Sequence, residues 1–248
     1  MFKKYLISKY RKKLKKIRKK YNEKVIVEKT RYINTLHHDI KTPILAQIQS
    51  LELLLNNSFG RLKQEQKEIL NDILNSNKFL NQTVSNAIFL NKYELARPKL
   101  NLENINIKEQ IEDCIEALKI FLKDRNQNII LNVPENLKLK ADRTLIQKII
   151  YNILTSSLSY GFENSDIEIT IEEDSNFVSF SAKNKSIYMT KEKINSLFED
   201  KKNLCDFNKL GMNLNLNIAK KLIDEHNWDL IAESKQDNSS VFGFLVKK

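Results

Sequence analysis

From Val25 to Leu55, apolar residues return every three or four positions: Tyr32, Ile33, Leu36, Ile40, Ile44, Ile48, Leu51 and Leu55. That period predicts one face of a long helix. The segment NNSFGR (56–61) interrupts it, with Gly60 as the stop signal. A second stripe follows in Leu62, Ile69, Ile73, Leu80, Val84 and Ala87, and it runs out before Pro98. Two long helices joined by a short turn predict an antiparallel hairpin over 25–97. A lone hairpin cannot cover its own apolar stripe. A homodimer that completes a four-helix bundle is therefore expected.

The stretch LARPKLNLEN (95–104) reads as a linker, with 98–104 as its core. From 105 the pattern is mixed. A helix over 107–124 precedes short strands at 128–133 and 137–141, and a second helix covers 143–161. Alternating strands at 166–174 and 176–184 meet in a turn at 174–176. A short helix (190–198), a polar loop (199–211), a helix (215–226) and two strands (228–234 and 240–247) complete the chain. This order predicts an α/β sandwich over 105–248, one sheet covered by helices. The expected fold class is α + α/β, a dimerising hairpin followed by that sandwich.

Composition changes the picture in three places. Only 4 Gly and 3 Pro among 248 residues predict long helices and few tight turns. Two cysteines, Cys114 and Cys205, point to no disulfide framework and to a reducing, cytoplasmic setting. No apolar run approaches the ~20 residues of a membrane span, and no secretory leader is expected.

The formal charge of +11 resides entirely in residues 1–24, which hold 12 Lys or Arg against Glu23 alone. The remainder is neutral, so no nucleic-acid partner is expected. Phe2, Leu6, Tyr10, Leu14, Ile17 and Tyr21 give this arm a helical apolar stripe. It reads as a solvated helix, paired with a partner copy as a short coiled coil, or as a helix resting on an anionic membrane surface.

The candidate chemistry begins at LHHDIKTPILA (36–46). An imidazole nitrogen can take a phosphoryl group when a neighbour accepts the ring proton. Asp39 directly follows His38, and Thr42 lies on the same helical face at i+4. Pro43 removes a backbone donor and frees carbonyls of the preceding turn. His37 is rotated by about 100° and lacks the adjoining acid, which makes it a bystander. His226, near the end of a late helix, reads as a surface or capping residue.

The run His38-Asp39-Ile40-Lys41-Thr42-Pro43 resembles the phosphoacceptor box of sensor histidine kinases, with every position of His, acid, aliphatic, base, Thr and Pro present. The resemblance implies that His38 is phosphorylated, that Asp39 acts as base, and that Thr42 positions water for dephosphorylating a response regulator receiver domain. It also implies ATP and Mg2+ as cofactors, bound by an ATPase domain of the same family.

That part of the chain departs from the family pattern. Asp142 and Asn152 match the first asparagine box, while Ser156 stands where the magnesium-binding asparagine is expected, beside Asn152. Ser159 replaces a lysine, and Tyr160 keeps its aromatic position. Asn184 stands at the adenine-binding aspartate, with Ser186 and Tyr188 at glycine positions, and Tyr188 is expected to fill the base site. LFED (197–200) is similar to the family's phenylalanine box. In GMNLNL, Gly211 remains while Asn213 and Asn215 replace glycines; asparagine tolerates positive φ, so a turn is expected there. Three activities follow: a histidine kinase, a phosphotransfer or phosphatase protein that does not use ATP, or a dimeric adaptor.

Overall fold

The computed structural model describes residues 2–95, 97, 99–198 and 207–248. Side chains at 2–15, 17, 19–20, 22–23, 94 and 207–213 lie outside that description. The chain forms two compact units, Met1–Pro98 and Lys99–Lys248.

The first unit is a hairpin of α1 (Phe2–Leu55) and α2 (Gln64–Leu95). The basic arm leads directly into the hairpin: α1 runs without a break through residue 24, and of the arm's apolar stripe only Tyr21, which is exposed, lies among the described side chains. Ile44, Ile48 and Leu51 pack against Leu74, with Leu55, Leu70 and Val84 around them. This is the i, i+4, i+7 face that the sequence pattern predicts. Lys78 reaches across from α2 to Glu52 at 3.1 Å. The connection turns through Asn57 and Gly60, both at positive φ (58° and 121°). Leu36, Ile40, Ile69, Ile73 and Leu80 belong to the predicted stripes yet stay exposed in the single chain.

The second unit opens on β1 (Leu102–Asn106), so the last residues of the expected linker are a strand. It pairs antiparallel with β3 (Lys138–Asp142) as a separate two-stranded sheet. The expectation of one sheet is therefore corrected to two. The larger sheet has the order β2-β4-β5-β7-β6, built from Asn128–Asn132, Asp166–Glu173, Phe177–Lys185, Ser239–Lys247 and Asp229–Lys235. Only the β2–β4 pair is parallel. Ile167, Ile169 and Ile171 alternate with Glu168, Thr170 and Glu172 along β4, a period-two strand with one buried face.

Against the sheet lie α3 (Ile107–Asp124), α4 (Arg143–Tyr160) and α6 (Phe207–Glu225), with the short α5 (Lys191–Leu197) beside β6. Ile146, Ile149, Ile150, Ile153 and Leu154 of α4 are fully buried. Each such side chain contributes about 1.5–3 kcal/mol by leaving water. Helix α4 is thus the spine of the domain.

Scarcity of glycine does not mean scarcity of turns. Asn57, Asn126, Asn164, Asn227 and Asn238 all adopt left-handed φ between 49° and 59°. Asn126 and Asn227 follow α3 and α6, where the next amide reaches back into the helix: Gln127 to Leu122 (2.9 Å) and Trp228 to Ile223 (3.1 Å). Asparagine takes the position glycine usually holds at a helix C-terminus, because its short polar side chain lowers the cost of that conformation.

Candidate functional site

Residues His38, Asp39 and Thr42 lie within one turn of α1. The His38 side chain is 80 % exposed, and its Nδ1 faces Asp39 Oδ1 at 3.4 Å. With Asp39 accepting the Nδ1 proton, the Nε2 lone pair is the free nucleophilic position. The Thr42 hydroxyl donates to the His38 carbonyl at 2.7 Å. Pro43 sits inside α1 and supplies no amide to the carbonyl of Asp39. The sequence places these groups together because helix periodicity alone brings i and i+4 side by side.

His37 is more than an idle neighbour of His38. Its Nε2 is buried without a hydrogen-bond partner. Burial lowers its pKa from 6.5, and the charges of Lys41, Lys92 and His38 lower it further. A base whose folded pKa is depressed contributes stability above its unfolded pKa and loses it as pH falls through the folded value. The hairpin should therefore weaken as pH falls below about 6.5. His37→Gln should flatten that part of the thermal-midpoint profile.

The second group of candidates gathers on α4 and β5. Asp142 caps α4 by accepting from the Leu145 amide at 3.1 Å, and its carboxylate also holds the Asn101 amide at 3.0 Å. His226 anchors the same point from α6. Its Nδ1 donates to the Leu222 carbonyl (2.8 Å), its Nε2 accepts the Asp142 amide (3.3 Å), and its ring lies 4.4 Å from that of Trp228. It is buried, which corrects the expectation of a surface residue, while its bond to the Leu222 carbonyl caps the end of α6 as the other expectation had it.

Asn152 and Ser156 are fully buried. Asn152 Nδ2 donates to the Lys148 carbonyl at 2.7 Å, and Ser156 Oγ donates to the Asn152 carbonyl at 2.8 Å. Lys148, Asn152 and Ser156 thus step along one side of α4. Burial pushes the Tyr160 phenol up to about 12, and its ring packs 6.0 Å from Phe242, so it is a neutral wall of the core.

Asn184 sits in a polar cluster where the end of α4 meets β5. Its Nδ2 donates to the Ser157 carbonyl at 2.8 Å, which also receives the Gly161 amide at 2.9 Å. Gln127 enters from the turn before β2 and donates to the Phe162 carbonyl at 2.8 Å. Gly161 has to be glycine here: a Cβ would lie 2.9 Å from Asn184 Nδ2, Gln127 Nε2 and the Ser157 carbonyl. Three buried oxygen atoms at this junction have no partner, namely Asn184 Oδ1, Ser157 Oγ and Gln127 Oε1. Buried acceptors of this kind suit a ligand that brings N–H donors, such as the amino edge of a purine.

An aspartate at 184 could not donate to Ser157, and its charge would face a carbonyl. Asn184→Asp should destabilise the domain by about 1–3 kcal/mol. Urea unfolding followed by Trp228 fluorescence would measure it.

Sequence reasoning missed Gln127, which lies in no recognisable motif, and Ser157, which lies inside the asparagine-box helix but is singled out only by burial. Ser186, at a glycine position of the family pattern, bonds Ser240 Oγ at 2.5 Å and is satisfied within the protein. Tyr188 is 44 % exposed. Gly211, Asn213 and Asn215 all lie in α6, which begins at Phe207, so the expected turn is helix. The surroundings of Gly211 and residues 199–206, including Cys205 and the end of LFED, lie outside the described residues.

For a metal, the arrangement is poor. Asn152 and Ser156 are neutral, and no cluster of three or more His, Cys, Asp or Glu suits a metal ion among the described residues. A hard divalent cation ordinarily takes one or two carboxylates besides phosphate oxygens. The unpartnered oxygens have acceptor chemistry suited to a purine amino group, while the neutral donors Asn152 and Ser156 suit Mg2+ poorly.

Two family models match the chain. One, described as His Kinase A (phospho-acceptor) domain, covers residues 28–95. The other, described as histidine kinase-, DNA gyrase B-, and HSP90-like ATPase, covers residues 141–248. The sensor protein VanS of Enterococcus faecium is 27 % identical over 212 residues, 84 % of this chain and 54 % of that protein.

Among solved structures, full-length ShkA in complex with AMPPNP shares the fold at a TM-score of 0.64 and 17 % identity, covering 88 % of this chain and 46 % of that one. The histidine kinase ThkA in complex with the response regulator protein TrrA does so at 0.57 and 21 %, covering 92 % and 66 %. The chain spans only 26 % to 54 % of the length of the first curated relatives it matches. With a phosphoacceptor-type helical hairpin followed by an ATPase-type α/β domain, this chain belongs to the sensor histidine kinase family.

Proposed function

We propose that the chain carries phosphoryl groups through His38 to and from an aspartate of a response regulator receiver domain, and hydrolyses the phosphorylated regulator. The observation that carries this reading is the exposed His38 imidazole with Asp39 against Nδ1 and Thr42 one turn away. His38 Nε2 attacks the phosphorus, the bond from phosphorus to the leaving oxygen breaks, and the Nδ1 proton is held by the Asp39 carboxylate. For hydrolysis, the Thr42 hydroxyl can turn from the His38 carbonyl toward an attacking water. That ThkA is described in complex with TrrA supports a receiver-type partner.

The ATPase-type domain supports nucleotide binding, and a nucleotide bound there supplies the phosphoryl group for autophosphorylation. The unpartnered oxygen of Asn184 would hold the base amino group, and Tyr160 would wall the site. Gly211 takes the place of a phosphate-binding glycine by resemblance alone. The weak metal donor set, Asn152 with Ser156, favours slow autokinase activity, because charge developing on the transferred phosphoryl lacks its usual bridging cation. The same observation favours a second reading, a kinase homologue without autokinase activity that acts as a phosphotransferase or dimeric adaptor.

The exposed Leu36, Ile40, Ile69, Ile73 and Leu80 support a homodimer closed by the hairpin. The described part of the arm (Lys16, Arg18, Tyr21 and Lys24) is exposed and supports contact with an anionic membrane surface from a cytoplasmic position. No helix among the described residues is long and apolar enough to cross a membrane.

The test is transfer from a receiver domain carrying labelled aspartyl phosphate to the purified chain. Acid-labile label on the chain, or accelerated release of labelled phosphate, supports the proposal. Neither event with any of a panel of receivers leaves the adaptor.

A further inference from the structure

The turn after α3 delivers a side chain to the junction around Gly161. Asn126 takes its left-handed φ of 49°, and the Gln127 amide bonds back to the Leu122 carbonyl at 2.9 Å. The same turn is clamped to the segment after α4. The Asn164 amide donates to the Arg125 carbonyl (3.1 Å), Asn126 Nδ2 to Asn164 Oδ1 (2.7 Å), and Arg125 Nη2 to the Gly161 carbonyl (3.0 Å). Gln127 is thereby fixed in place and only 4 % exposed.

Two buried amides flank Gly161. A carbonyl can only accept, so each amide turns its nitrogen to the carbonyl it meets. Asn184 Nδ2 faces the Ser157 carbonyl, and Gln127 Nε2 faces the Phe162 carbonyl, both at 2.8 Å. The two amide oxygens are left turned away from these carbonyls, buried and without a partner. Both nitrogens would lie 2.9 Å from a Cβ at residue 161, so the amides approach each other across the space a side chain would fill. Ser157 Oγ and Arg125 Nε are buried and unpartnered as well, and both can donate. Leaving such groups unpaired is costly, and a ligand that pairs them removes the cost.

We propose that Gln127 is a second base-reading residue, and that Gln127 and Asn184 together take both hydrogens of one exocyclic amino group. The inference rests on the reading of Asn184 as a base acceptor and deepens it. Each amide oxygen accepts one N–H, so two oriented oxygens match the two N–H bonds of a primary aromatic amine. Ring nitrogens beside that amine are acceptors, which suits Ser157 Oγ–H and Arg125 Nε–H. A 6-oxo base would set an oxygen against two oxygens. An N-methylated amine would leave one of them unpaired. The ligand class is therefore a nucleotide whose base carries an unsubstituted amino group.

The test is calorimetric binding of ATP, N6-methyl-ATP and ITP to the full chain, as wild type and as Gln127→Met. Thermal midpoints verify that the variant folds. In the wild type, N6-methyl-ATP should bind about tenfold more weakly than ATP, and ITP more weakly than either. Gln127→Met should bind ATP about tenfold more weakly than the wild type does, and it should no longer distinguish ATP from N6-methyl-ATP.

Equal affinity of the wild type for ATP and N6-methyl-ATP overturns the proposal, whether or not the variant folds. Full ATP affinity in a folded Gln127→Met protein overturns it too, even with a lowered thermal midpoint, because the oxygen then serves the interior alone. Asn184 survives either result as a base acceptor if ITP still binds more weakly than ATP. Failure of the wild type to bind ATP overturns the base reading itself, and Gln127's role with it.

Discussion

Gly243→Ala is expected to unfold the α/β domain or to leave it barely stable. Gly243 lies in β7 between β5 and β6, opposite Ser181 on one side and Ile231 on the other. A Cβ there would stand 2.0 Å from the Phe180 carbonyl oxygen and 3.0 Å from the Phe180 carbonyl carbon and Ser181 Cα. Those are backbone atoms in a hydrogen-bonded ladder, so no side-chain rotation relieves the clash. The strands have to separate locally, and that disturbs the stacked rings of Phe180 and Phe244 (5.1 Å) and of Trp228 and Phe244 (5.0 Å).

Overpacking of a well-filled core costs about 1–3 kcal/mol when flexible groups can yield. Here nothing flexible yields, so about 3 kcal/mol or more is expected, against a typical total of about 5–15 kcal/mol. Trp228 is the only tryptophan in the chain and lies within this stack, so its fluorescence reports the event directly. A urea midpoint within experimental error of the wild type would show that β5 and β7 are not held together as described.

The second large effect is on transfer. His38→Ala should abolish labelling of the chain by a phosphorylated receiver while leaving the melting profile unchanged. The imidazole is 80 % exposed, and its polar contact with Asp39 Oδ1 at 3.4 Å is long and worth little to the fold. Its removal therefore isolates chemistry from stability. Asp39→Asn keeps the shape and removes the charge that holds the Nδ1 proton, and a loss of about 100-fold in transfer rate is expected. Thr42→Ala should leave transfer within a few-fold but slow release of phosphate, because only hydrolysis uses the hydroxyl. Label that persists in His38→Ala would move the phosphoacceptor elsewhere, with the neighbouring His37 as the first residue to examine.

Much of this site lies in one turn of helix, and that is why it is legible in the sequence. His38, Asp39 and Thr42 are neighbours through local geometry alone, so their juxtaposition needs no knowledge of the fold. The hairpin, α3 from Ile107 to Asp124 and the strands of the 174–176 turn are legible for the same reason, since periodicity is a local property. The extent of α6 was not, because the polar run before Gly211 looks like a loop until α6 is seen to start at Phe207. Nor was the separate β1–β3 ladder, whose partners are more than thirty residues apart.

The sequence by itself determined the two-unit order, the helical hairpin, and the histidine, acid and threonine carried on one helical turn. Tertiary structure alone decided what the departures from the family pattern do. Asn213 and Asn215 fall within helix α6 and Asn184 became a donor to α4, while outside that pattern His226 became a tie between α6 and α4. It also brought Gln127, Ser157 and Asn184 to one buried junction from three separate elements. The physical reason is that helical contacts follow from spacing along the chain, whereas burial and hydrogen-bond partnership depend on what the rest of the fold places opposite.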